Sequence, residues 1–222
     1  LSLLATMNAG DDARLKAFFN PNDTKGEYTG GISGTNFSTT ANYKANYWCR
    51  PNMTYDAPVY FISRFEVEFF LAEYEARYGS AAAAEQHYIA AIEASFASAG
   101  VTGHETVLAA YPWDNANYKK CIGIQKWVAL SGTNNFEAWC EMRRLEYPTF
   151  GSVTGDQLYN VTTDSSQPSL LVPGTLYTPI QCNSSLGTNK LLQRWSYPES
   201  SANRNQNTPE YKGDATPVFW AE

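Results

Sequence analysis

Charge is scarce in this sequence. Asp, Glu, Lys and Arg together make up 17% of 222 residues, and their balance is acidic, with a net charge of −6. An acidic surface repels phosphate backbones, so no nucleic acid partner is expected. The two histidines, His87 and His104, lie near no Ser or Cys in a nucleophile motif. There is no G-x-S-x-G, no H-E-x-x-H and no phosphate-binding glycine loop. The four cysteines, Cys49, Cys121, Cys140 and Cys182, form neither C-x-x-C nor a Cys/His cluster. That argues against a zinc site and against a disulfide-dense scaffold, while leaving an oxidised pair open. No apolar run approaches the roughly 20 residues needed to cross a bilayer. The Asp11–Asp12 pair and the Asn20–Asp23 run lack the alternating oxygen ligands of an EF-hand loop. No cofactor is expected and no metal site is assigned, with a single calcium on loop oxygens left open.

Aromatics, by contrast, make up 14% of the chain, with 6 Trp and 15 Tyr. Together with abundant Asn, Ser and Thr they suit flat, uncharged contact surfaces of the kind that hold sugars. The same rings would also serve a Tyr-rich surface with no specific ligand. The chain opens with Leu and not Met, and its start is too short and too neutral for a signal peptide. Upstream residues, and with them a targeting signal or lipid anchor, are therefore expected outside it.

Hydrophobic periodicity places the ordered elements. A short amphipathic piece opens residues 1–20, and residues 20–58 form a long irregular segment rich in Gly, Asn, Thr and Tyr. A helix begins at Ser63, whose pairing with Glu66 is a capping box. Phe65, Phe69, Ala72 and Ala76 share its stripe, flanked by Phe70 and Tyr74. Gly79 suits a left-handed stop. A second helix follows Ser80, with Ala84, Tyr88, Ile92 and Phe96 at helical spacing and Gly100 as its end. Together they predict a hairpin over 63–99 with the proportions of one tetratricopeptide unit. A third helix over Lys120–Leu130 carries Ile124, Trp127 and Val128 on one side. A fourth follows Asn134 with Phe136, Trp139, Cys140 and Arg143 on a common inner face, and ends before Pro148. These two predict a second hairpin over 120–147. Beyond Phe150 the pattern is mostly loop, with strand-like pieces at Leu170–Val172 and Leu191–Arg194. The fold class is all-α, with tetratricopeptide-like hairpins, long ordered loops and minor short strands.

The run "IQKWVALSGTNNFEAWCEMRRLEYP" resembles the most recognisable stretch of the SusD/RagB family. There a Lys-Trp helix leads by a short turn to a Glu-Ala-Trp helix, two arginines and a Tyr-Pro stop. The matching positions are Lys126, Trp127, Glu137, Ala138, Trp139, Arg143, Arg144, Tyr147 and Pro148. "FEVEFFLAEYEAR" is similar to the family's Ala-Glu-Ala helix, with Tyr74 where a small residue is usual. "AAIEASF", "QRWSYPESSANRN" and the terminal "PVFWAE" resemble further family segments, all in the family's order. Members are longer and begin with a lipoprotein signal and anchor cysteine. Residues 1–222 therefore resemble a single C-terminal region without the family's N-terminal helical half. The resemblance implies a non-enzymatic, surface-exposed outer-membrane lipoprotein, held by a lipid anchor outside this chain. Its role would be to bind an oligosaccharide or peptide for a SusC-like TonB-dependent transporter.

The best ligand candidates are loop aromatics and their polar neighbours: Tyr43, Tyr47 and Trp48 in the first long segment, then Tyr111, Trp113, Asp114 and Asn117 before the third helix. Flat rings cover the apolar faces of sugars, and amides and carboxylates orient hydroxyls. The competing role for each ring is to pin its loop to the core. Trp127 and Trp139 read as core, and His87 as solvent-facing. Glu137, Glu141 and Arg144 have ordinary helical ion-pair spacing, while Arg143, on the inner face, is expected to bond carbonyls or a carboxylate of the C-terminal segment. Two other functions fit the pattern: a tetratricopeptide adaptor for proteins, and an α-helical glycoside hydrolase. The latter needs two carboxyls flanking one cleft, and Glu66 and Glu73 share one helix face.

Overall fold

The computed structural model describes residues 1–34, 48–161, 170–180 and 186–218. The helices are α1 (Ser2–Ala9), α2 (Arg14–Phe18), α3 (Arg64–Tyr78), α4 (Ala81–Ala99), α5 (His104–Ala110), α6 (Tyr118–Ser131), α7 (Asn135–Leu145), α8 (Gly155–Val161) and α9 (Glu199–Arg204). A 3-10 turn at Asn115–Asn117 leads into α6. The fold is all-α, with tetratricopeptide-like helical hairpins and short strands, as the periodicity implies.

Local chemistry sets the helix ends. Ser63 Oγ accepts from the Glu66 backbone N–H while the Glu66 carboxylate accepts from the Ser63 N–H, completing the capping box. Ser80 caps α4, and Gly100 closes it in the left-handed conformation. Asn134 caps α7 by accepting from Glu137 N–H. Gly79 differs from expectation. Its φ is −112°, so it is no left-handed stop. The chain passes directly into the Ser80 cap, and the Glu75 carboxylate folds over to accept from Ser80 N–H. A Cβ on Gly79 would meet that carboxylate at 1.7 Å, so a side chain here would push the Glu75 carboxylate off the Ser80 N–H.

The strands also fall elsewhere than the sequence suggests. β1 (Phe19–Asn20) pairs antiparallel with β2 (Arg50–Pro51), and β3 (Thr149–Thr154) pairs parallel with β4 (Thr175–Thr178). Leu170–Val172 and Leu191–Arg194 are not strands. Val172 instead accepts from Thr175 in the turn before β4. The backbone of Gln193 and Arg194 bonds Asp214 O, and the Arg194 side chain reaches Thr216 O and Pro217 O.

The main core joins Phe65, Phe69 and Ala72 of α3, Tyr88, Ile92 and Phe96 of α4, Ile122 and Leu130 of α6, and Ala138 and Leu145 of α7. A second cluster gathers Ala5, Ile32, Leu158, Leu171 and Tyr177, with Trp48 packed against it. On α7 the buried residues are Ala138, Glu141 and Leu145, whereas Phe136 is exposed and Trp139, Cys140 and Arg143 are half-buried. The expected inner face is therefore turned outward, and Cys140 is not a core residue. Trp127 too is only partly buried. Arg143 nonetheless donates to the Gln193 carbonyl of the C-terminal segment, with its guanidinium 4.5 Å above the Trp139 ring.

Charge explains the rotation of α7. Lys126 Nζ, 1% exposed, donates to Glu141 Oε2 at 2.9 Å. Arg144 grips Glu141 from Nε and Nη2, at 2.9 and 2.7 Å, and holds Glu73 through both terminal nitrogens at 2.8 and 2.7 Å. Arg77 closes the chain on Glu73 at 2.7 Å. This network ties α3, α6 and α7 together. A second tie is Arg14, fully buried. It bonds Asp12 through Nε and Nη2, Ser95 Oγ at 2.9 Å and Gln125 Oε1 at 3.1 Å, and lies 4.7 Å over the Phe96 ring. It fixes α2 to α4 and α6.

Burial alone would raise the Glu141 carboxyl, but Arg144 and Lys126 outweigh it and hold it below its ordinary value of 4.5. Burial draws the Lys126 ammonium down against the pull of Glu141. The two shifts pull opposite ways on the pair, and the short contact favours the ionised form. A depressed carboxylate contributes stability above the unfolded-state value and loses it as pH falls through the lower folded value. Urea midpoints should therefore drop as pH falls below 4.5, and Glu141→Gln should flatten that drop. Asp12→Ala should cost about 3–5 kcal/mol, because it strands a buried guanidinium. A urea-unfolding loss under about 1 kcal/mol would mean that Ser95 and Gln125 satisfy Arg14 without Asp12.

Candidate functional site

A cavity of about 250 Å³ opens between the end of α5, the 3-10 turn and the first two turns of α6. Tyr111, Asp114 and Asn117 line it together with Lys120, Cys121 and the apolar Ala110, Pro112 and Ile124. The local sequence builds it. Asp114 caps the turn by accepting from Ala116 N–H at 3.0 Å, and Asn117 Nδ2 donates to its other oxygen at 2.7 Å. Lys120 stands one helical turn after Asn117, so both reach the same rim.

The Asn117 amide, helped by backbone N–H groups and Lys120, holds the Asp114 carboxyl below the ordinary range, so it is an ionised acceptor at neutral pH. Burial pushes the Tyr111 phenol up to about 12, so it stays a donor, spent on the Thr6 carbonyl at 2.8 Å. Burial likewise raises the Cys121 thiol, whose Sγ approaches the Pro112 and Asp114 carbonyls. A protonated thiol is a poor nucleophile. Asp114 is the one carboxylate in this lining. The cavity thus offers an apolar wall, an anionic acceptor, an amide and an ammonium.

The other candidate residues lie apart from it. Trp113 turns inward, its ring 5.2 Å from that of Tyr88, and its buried Nε1 has no hydrogen-bond partner among the described residues. Trp48 packs on the second core cluster and against Gly31. Tyr43 and Tyr47 lie outside the described residues, as does Cys182. Cys49, Cys121 and Cys140 are free thiols. His87 is half-buried, 2.8 Å from Glu68. The described residues hold no cluster of His, Cys, Asp or Glu fit for a metal ion, and no helix among them is long and apolar enough to cross a membrane.

Sequence reasoning passed over Lys120 and Ile124, although helical spacing from Asn117 would have found the lysine. It also passed over Trp195, 80% exposed beside Tyr197, because the surrounding run reads as a family segment. A separate groove runs beside α7. Its two hollows, about 310 and 280 Å³, share Met142, Phe150 and Leu191.

A SusD-like family model, described as starch-binding and associating with the outer membrane, matches residues 2–169. Among solved structures, a SusD homologue from Bacteroides uniformis superposes with a TM-score of 0.63 at 24% identity, covering 100% of this chain and 49% of that one. A homologue from Bacteroides thetaiotaomicron gives 0.67 at 21% identity, with 99% and 51% covered. A SusD-like protein from the same species gives 0.59 at 20%, with 92% and 44% covered. At these identities the structural likeness speaks for the fold. No curated protein sequence matches significantly. The chain spans about half the length of the solved relatives. With three-quarters of its residues under the family model and its fold shared throughout, the chain belongs to the SusD/RagB family.

Proposed function

We propose that the chain is the C-terminal half of a surface-exposed outer-membrane lipoprotein, which binds an oligosaccharide without altering it. The bound sugar would pass to a SusC-like TonB-dependent transporter, and a lipid anchor outside this chain would hold the protein at the membrane. The observation that carries the proposal is the cavity at the start of α6. It combines an apolar wall with the preset acceptor Asp114, the amide of Asn117 and the ammonium of Lys120. Sugars present this mixture of C–H faces and hydroxyls, and a small set of fixed polar groups in a partly apolar pocket is how such ligands are oriented. The family's description as starch-binding and outer-membrane-associated supports the ligand class and the location. A peptide is the competing ligand, since main-chain amides would meet the same donors and acceptors.

Hydrolysis fits the lining poorly. A glycosidase needs two carboxyls across a cleft, one of them kept protonated. This cavity has Asp114 alone, held ionised. Glu66 is occupied by its cap on Ser63, and Glu73 by Arg77 and Arg144.

Calorimetric titration with α- and β-linked glucose oligomers, and with short peptides, tests the proposal. Asp114→Ala and Asn117→Ala should each weaken oligosaccharide binding about fivefold, the loss of roughly 1 kcal/mol of hydrogen bonding. Trp113→Ala should lower folding stability by about 2 kcal/mol, because it removes a half-buried ring packed on Tyr88, while folded protein keeps its affinity. Release of reducing ends by the purified protein, or saccharide affinity indifferent to both polar variants, would sink the assignment.

A further inference from the structure

The groove beside α7 is a second place where a small molecule fits. Its larger hollow, about 310 Å³, has Met142 and Arg143 of α7 on one side and Phe150 of β3 on another. Asn189, Leu191 and Gln193 of the C-terminal segment complete the wall, and Glu146 stands on the rim. None of these residues lines the cavity at the start of α6.

Arg143 is the cation of this hollow, and it is held in place before any ligand arrives. Its guanidinium lies 4.5 Å from the Trp139 ring centroid, and Nη2 donates to the Gln193 carbonyl. Its Nε is buried and has no hydrogen-bond partner among the described residues. Arg144 beside it holds Glu73 and Glu141, whereas Arg143 forms no ion pair among the described residues. A half-buried guanidinium with a spare donor is completed by an anion, and its planar fork matches a carboxylate.

The other groups suit the rest of a sugar. Thr178 Oγ1 accepts from Asn189 N–H at 3.0 Å, so its own proton goes to Asn189 Oδ1 at 2.9 Å. That fixes the orientation of the amide and leaves its nitrogen as a donor. Glu146 is exposed, so its charge is screened by water while it remains an acceptor for hydroxyls. Met142, Phe150 and Leu191 supply apolar surface for C–H faces. Trp195 follows Gln193 by two residues, at most about 7 Å of chain, and is 80% exposed. The segment that displays it is clamped. The N–H groups of Gln193 and Arg194 donate to Asp214 O, and Arg194 Nε donates to Thr216 O at 2.9 Å. An exposed indole on a clamped backbone is a stacking platform that needs little ordering.

We infer that this hollow is a second saccharide site, specific for an acidic sugar. The carboxylate of a uronic acid pairs with Arg143, and an adjoining ring of the same oligosaccharide stacks on Trp195. The sugar part rests on the proposed reading of the chain as a saccharide binder. The acid part rests on Arg143 alone.

Calorimetric titration with the galacturonic acid trimer, and with its methyl ester, tests this. The ester keeps every ring and hydroxyl and removes the charge. The acid should bind about tenfold more tightly than the ester. Arg143→Gln should bring the two affinities together, whereas mere loosening of the C-terminal segment would weaken both and keep their ratio. Trp195→Ala should weaken both about fivefold. Equal affinities for acid and ester in the unaltered chain overturn the inference, as does failure of the acid to bind at millimolar concentration. A preference for the acid that survives Arg143→Gln and disappears with Lys120→Ala overturns it too, since the anion then sits in the cavity at the start of α6. Neutral glucose oligomers report on that cavity separately, so the two sites can fail independently.

Discussion

Carboxylates shared between cations on three helices are the constraint on which this structure depends. Glu141 lies between Lys126 and Arg144, and Arg144 passes the contact on to Glu73 and Arg77. Lys126 and Glu141 are too buried for water to substitute for either partner. A charge placed there is tolerated only while its partner is at hand. That requirement fixes the rotation of α7 about its axis and the approach of α6 to α3. Apolar packing of Phe65, Phe69, Ile122 and Leu130 supplies the bulk of the driving force, but it is less particular about angle. Arg14 plays the same part on the other flank, aligning α2 against α4 and α6.

The candidate binding cavity inherits its shape from this frame. α6 enters the network at Lys126 and presents Lys120, Cys121 and Ile124 less than two turns earlier. Tyr111 reaches back to Thr6 on α1, and Tyr88 of α4 donates to the Tyr111 carbonyl at 2.8 Å. The connector is therefore stitched to α1 and α4. Asp114 and Asn117 stand on a short turn whose conformation they themselves fix. Little ordering would remain to be done were a ligand to bind there.

Much of this was legible in the sequence, and the misses have physical reasons. The capping box at Ser63, the α4 stripe and the stop at Gly100 are local features, decided within a few residues. The stripe on α7 was misplaced because Glu141 looks like a surface residue. Only its partner Lys126, 15 residues away, reveals that it faces inward. Arg14 was invisible for the same reason, since Ser95 and Gln125 are remote in sequence. A glycine after a helix signals a left-handed stop, but Gly79 has a negative φ and the chain turns straight into the next cap. Parallel pairing of β3 with β4 leaves no turn signature between neighbours. Of the site residues, Tyr111, Asp114 and Asn117 converge on one cavity, but sequence could not show that Trp113 would turn toward Tyr88 or that Trp48 would rest on Gly31.

The coupling between Lys126 and Glu141 is the constraint that sets how α7 sits on α6. A double-mutant cycle with Lys126→Met and Glu141→Leu, read by urea unfolding at neutral pH, measures it. Each single change should cost about 3 kcal/mol, because it leaves the other charge buried alone. The double variant should cost less than their sum by about 2 kcal/mol. Strictly additive losses would contradict the account, since the two side chains would then contribute packing and no charge constraint.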